Sequence, residues 1–63
     1  MKPANEIGLL LFHIEPRIVY DVSTGLDRRK EAQSVVGAKM LASTGDMPGA
    51  LNVLRTLFRE LNK

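Results

Sequence analysis

The sequence predicts a small all-α domain of three or four short helices that ends in an antiparallel helical hairpin. Three observations predict it. Apolar residues recur at helical spacing over the last third of the chain. Proline and glycine interruptions at Pro16, Gly25 and the Gly45–Gly49 region divide the chain into pieces of helix length. The aliphatic content is also high: Leu, Ile, Val and Phe supply 19 of 63 residues, too many for a disordered chain. The competing architecture is α+β, an N-terminal β-hairpin pairing residues 8–14 with 17–22 and followed by two helices.

The first segment is Ala4–Ile14. Ile7, Leu10, Leu11 and Ile14 fall at i, i+3, i+4 and i+7, and Pro3 and Asn5 suit a helix start. Leu9 and Phe12 lie off that face, so the segment is apolar nearly all round and is expected to be buried on more than one side. Pro16 disfavours helical geometry at Glu15, so the segment is expected to stop there. The second segment is Pro16–Ser23. Pro16 fits a first helical position, and Ile18, Val19 and Val22 would share a face. The run RIVYDV equally favours a strand.

The third segment runs from about Leu26 to Ser43. Ser23, Thr24 and Asp27 are cap candidates, with Thr24 and Asp27 at capping-pair spacing. Ala32, Val35, Val36 and Met40 form its apolar side. Ser34, Ala38 and Ala42 make a row of small residues that lets a second helix approach closely. The fourth segment carries the strongest period. Asp46 is the cap candidate and Pro48 lies in the first turn. Met47, Ala50, Leu51, Leu54, Leu57, Phe58 and Leu61 occupy an arc of about 120°. No low-complexity tract, linker or internal repeat stands out, and residues 1–63 are read as one domain.

From Glu31 onward the layout resembles a tetratricopeptide-type helical hairpin. Small Ala38, large Leu41, the Gly45–Asp46 turn, Ala50, Leu54 and Phe58 carry the resemblance, which covers one repeat, about half the chain. Ser34, Gly37 and Leu57 depart from the family pattern, and no proline closes the hairpin. Stacks of such repeats need about three or more units. The resemblance implies peptide or protein binding and no enzyme activity.

Composition narrows the function classes. With no cysteine, disulfides and thiolate metal sites are excluded. The longest apolar run, Leu9–Phe12, is far below the roughly 20 residues of a membrane span, and a cytoplasmic, unprocessed protein is expected. A net charge of +2 is ordinary for a small domain. Phosphate-binding glycine motifs and nucleophile elbows are missing. The single histidine, His13, reads as a residue at the edge of the core. No catalytic residue, cofactor or metal is therefore expected.

The preferred function is a non-enzymatic protein–protein interaction module: a small inhibitor, adaptor or assembly factor. It would act through the apolar face of the C-terminal helix, with Leu51, Leu54, Leu57, Phe58 and Leu61 divided between core and interface, as a homodimer or hetero-complex. The alternative is a small DNA-binding transcriptional regulator. Its candidate nucleic-acid contacts are Arg28, Arg29, Lys30, Arg55 and Arg59. Three adjacent cations at the start of a helix oppose its dipole, so either that helix begins near Thr24 or the cluster has a task such as phosphate contact.

Overall fold

The computed structural model describes residues 2–63, which form three α-helices and no strand: α1 Pro3–Ser23, α2 Arg29–Ser43 and α3 Met47–Leu61. Both the predicted break at Glu15 and the alternative β-hairpin over 8–22 are corrected. A single 21-residue helix runs through Pro16. Proline inside a helix removes one backbone donor and costs about 3 kcal/mol. The donor lost is the partner of the Phe12 carbonyl, and Phe12 and Pro16 both lie on the exposed side of α1, where water can serve that carbonyl. Ile14 and Ile18 bracket the proline on the opposite face, and both are buried. Each contributes roughly 1.5–3 kcal/mol by burial, enough together to outweigh the proline. Pro16→Ala is expected to raise stability by about 1–3 kcal/mol in thermal or urea unfolding followed by circular dichroism. An unchanged or lower stability would contradict helical geometry at that position.

The two inter-helix turns are built alike. Ser-Thr-Gly closes α1 at residues 23–25 and α2 at residues 43–45, a short repetition that accounts for the likeness. Gly25 and Gly45 adopt φ of 95° and 94°, the left-handed region where glycine carries no Cβ penalty. After α1, Leu26 N–H donates to the Asp21 carbonyl and Gly25 N–H to that of Val22. After α2, Asp46 N–H donates to Leu41 and Gly45 N–H to Ala42. Both are Schellman closures. The Ser and Thr hydroxyls add matching bonds, to the Tyr20 and Asp21 carbonyls in one turn and to Met40 and Leu41 in the other.

α2 begins at Arg29, later than expected, because Asp27 accepts from the Arg29 backbone N–H at 3.1 Å. Thr24 caps the end of α1 rather than the start of α2. Asp46 caps α3, accepting from Gly49 N–H at 3.0 Å. A Cβ at Gly49 would collide with that carboxylate, so the cap also explains the glycine.

α3 is the central helix. α1 and α2 each pack along it and scarcely touch one another. Ile14 and Leu54 are fully buried and mark the middle of the core, joined by Ile7, Ile18, Val35, Leu51, Leu57 and Leu61. Two small residues, Ala38 of α2 and Ala50 of α3, are also buried, and Ser34 and Ala42 flank Ala38 half-buried. The predicted small-residue row thus faces α3. Of the predicted apolar side of α2, only Val35 is buried; Ala32, Val36 and Met40 are exposed.

Candidate interaction surface

The C-terminal arc is mostly spent on the chain's own core. Leu51, Leu54, Leu57 and Leu61 are buried within the single chain, and Phe58 is 36% exposed. Phe58 leads instead to a second surface. Its ring stands edge-on to His13, centroids 6.3 Å apart, and His13 stands edge-on to Phe12 at 5.6 Å. That short aromatic row runs from α3 onto the outer face of α1.

The outer face of α1 carries a second apolar stripe. Leu9, Phe12, Pro16 and Val19 recur at spacings of three and four, with Tyr20 beside them. All are exposed, Phe12 at 73%, Val19 at 68% and Tyr20 at 64%. At 1.5 Å per residue the stripe is about 15 Å long. The same helix buries Ile7, Ile14 and Ile18 on its other side. The all-round apolar character of α1 predicts burial on more than one side. In the single chain one side is covered and the other faces solvent.

The charges of α1 leave this stripe bare. Glu6 pairs with Arg55 of α3, Glu15 with Lys39 of α2 at 3.3 Å, and Arg17 with Asp21 at 3.2 Å. Every ionised side chain of α1 is therefore engaged with a neighbour. The stripe continues into a cleft of about 220 Å³ between α1 and α2. Val19 and Val36 wall it, and Glu15 and Lys39 lie at its rim. A second, more open apolar groove of about 570 Å³ lies between α2 and α3, among Gly37, Met40, Leu41 and Val53.

The basic residues do not gather on one face. Arg28 is turned inward, donating to Asp21 at 2.9 Å and to Glu31 at 3.4 Å. Arg29 is exposed and paired with Asp27 at 3.1 Å. That pair, and the inward turn of Arg28, explain how three cations stand beside the α2 N-terminus: acids compensate them locally. Asp27 is held below its ordinary pKa by side-chain and backbone hydrogen bonds from Arg29. Lys30 lies toward α3 near Thr56 and Glu60, whereas Arg55 reaches to Glu6 on the α1 side. Arg59 is exposed on α3.

Asp21 is the one buried charged residue among the described residues, 2% exposed. Burial alone would raise its pKa, but hydrogen bonds from Arg28 and then Arg17 outweigh it and hold the carboxyl below the usual value. His13 lines a cleft of about 260 Å³ with Ile14, Arg17, Phe58 and Leu61. Among the described residues no cluster of three or more His, Asp or Glu side chains could hold a metal ion. No helix among them is long and apolar enough to cross a membrane. No protein-family model, curated protein or solved structure matches the chain.

Proposed function

We propose that this chain is a non-enzymatic protein-interaction module, with α2 and α3 as its antiparallel hairpin and the outer face of α1 as its contact surface. The observation that carries the reading is the uncharged stripe Leu9, Phe12, Pro16, Val19 and Tyr20, exposed on a helix whose ionised groups are all paired elsewhere. Contiguous apolar surface of this kind, rimmed by polar groups, marks interaction sites. Heptad-like spacing of apolar residues is how one helix presents itself to another. The C-terminal helix contributes Phe58 at the margin and otherwise serves as the scaffold. The tetratricopeptide resemblance, carried by small Ala38 and Ala50 and by Leu54, supports the hairpin alone, since the contact surface on α1 lies outside it. The nucleic-acid alternative draws little from the geometry, since Arg28 is committed internally and Lys30 and Arg55 lie on different flanks of α3.

The test is photo-crosslinking in the native cell with a benzophenone amino acid at Phe12, and the same label at Gln33, exposed on α2, as the control. The reading expects a discrete protein adduct at position 12 that is lost when Val19→Glu is added. Equal labelling from both positions, or an adduct indifferent to Val19→Glu, would overturn it.

A further inference from the structure

Resting on that reading, we infer that the occupant of the α1 stripe is a second copy of this chain, paired antiparallel across α1. The spacing is self-complementary. Leu9 and Val19 lie five residues on either side of Ile14, and Phe12 and Pro16 lie two residues on either side. A two-fold axis beside Ile14 therefore sets Leu9 of one copy against Val19 of the other, and Phe12 against Pro16. This is the antiparallel pairing of two heptad seams, and an isologous contact of this type closes at two copies. The cleft between Val19 and Val36 offers a seat for Leu9 of the second copy.

The charge pattern fits the same partner. A stripe with no ionised group selects no oppositely charged surface, and a copy of itself is equally neutral. At the axis Glu15 meets its own mate, which would repel alone. Each Glu15 is already paired with Lys39 at 3.3 Å, which offsets the repulsion between the two carboxylates.

The area is also sufficient, and no more than sufficient. Leu9, Phe12, Val19 and Tyr20 are between 47% and 73% exposed. Aromatic side chains alone offer about 150–250 Å² each when fully covered. The patch is therefore on the order of 500 Å² per copy, and two copies bury about 1,000 Å², the lower bound for a specific contact. A dimer dissociating in the micromolar range is expected.

The experiment is sedimentation velocity of the full chain from about 1 to 500 µM, bracketing a micromolar constant. The mass is expected to rise from that of one 7.0 kDa chain to twice that value. Phe12→Glu and Val19→Glu, each placing a carboxylate in the seam, are expected to weaken association by about 100-fold or more with helix content unchanged by circular dichroism. Gln33→Glu, on exposed α2 surface, is expected to dimerise as the parent does. A parent chain monomeric at every concentration overturns the inference, as does a folded Phe12→Glu variant that associates normally. If the chain is monomeric but the stripe-dependent adduct forms with a different protein, self-pairing fails and the interaction reading stands. If the chain is monomeric and instead floats with phosphatidylcholine–phosphatidylserine vesicles through Phe12, both fail.

Discussion

Leu54→Ala is expected to cost this chain about a third or more of its stability. Leu54 is fully buried at the middle of the central helix, where α1 and α2 meet α3. A buried Leu→Ala change costs about 2.7–5 kcal/mol, the larger values where the site cannot collapse. A domain of this length has only roughly 3–9 kcal/mol in total, at about 0.05–0.15 kcal/mol per residue. Ile14 faces the same space and is itself fully buried, so the loss is shared by both flanking helices. Phe58→Asp is the contrasting change. Phe58 is on the same sequence arc but already 36% exposed, and that variant is expected to remain helical. Urea unfolding of the two variants checks this. Equal losses would contradict the placement of Leu54 in the core and Phe58 at its margin.

Asp21→Asn is expected to lower the melting temperature clearly more than Asp27→Asn, and to change its dependence on pH. Asp21 joins α1 to the start of α2 through Arg28 and accepts from Arg17 on its own helix. A neutral amide keeps the shape but removes the buried carboxylate that Arg17 and Arg28 share, leaving Arg28 with Glu31 alone and Arg17 without an acidic partner, a costly change at a buried position. Asp27 and Arg29 form an exposed pair, which contributes little. The folded pKa of Asp21 is lower than its ordinary value of 3.8, so the unfolded chain binds the proton more readily. The contribution of this carboxylate is therefore present above about pH 4 and is lost as pH falls through the lower folded value. The parent chain is expected to lose stability on acidification below pH 4, and Asp21→Asn to flatten that decline. A parent melting temperature that stays level down to the lowest pH reached would contradict the network.

Much of the fold was legible because α3 states it plainly. A cap, a first-turn proline and seven apolar residues on one arc leave little freedom, and the helix begins and ends where those signals place it. α1 was harder to read because Pro16 is a local signal and the force that overrides it is tertiary. Nothing within residues 12–20 reveals that Ile14 and Ile18 both join the core built with α2 and α3. The start of α2 was missed for a related reason. Asp27 could be seen as a capping residue, but its partner turned out to be Arg29 two positions on, not Thr24. The Ser-Thr-Gly repetition stands in the sequence and closes both turns in the same way.

The surface was less legible than the fold. A regular arc such as that of α3 marks a face to be buried without saying by what, and here the chain's own α1 and α2 cover it. The signal for the outward surface was in α1, where apolar residues exceed what one buried face can use. Leu9 and Phe12 were visible as off-face residues. Their link to Val19 and Tyr20 emerges only once Pro16 is known to lie inside a continuous helix, since a break there would turn the two pairs in different directions.

Cysteine cross-linking tests the two-faced reading of α1 most directly, because the chain has no cysteine of its own. Leu9→Cys and Val19→Cys are made separately, mixed and oxidised under non-denaturing conditions, with Gln33→Cys as the exposed control. The antiparallel pairing predicts a mixed dimer between the Leu9→Cys and Val19→Cys chains, formed faster than any dimer within either pool or with the control. Cross-linking at the same slow rate for every combination would contradict a contact surface on the outer face of α1.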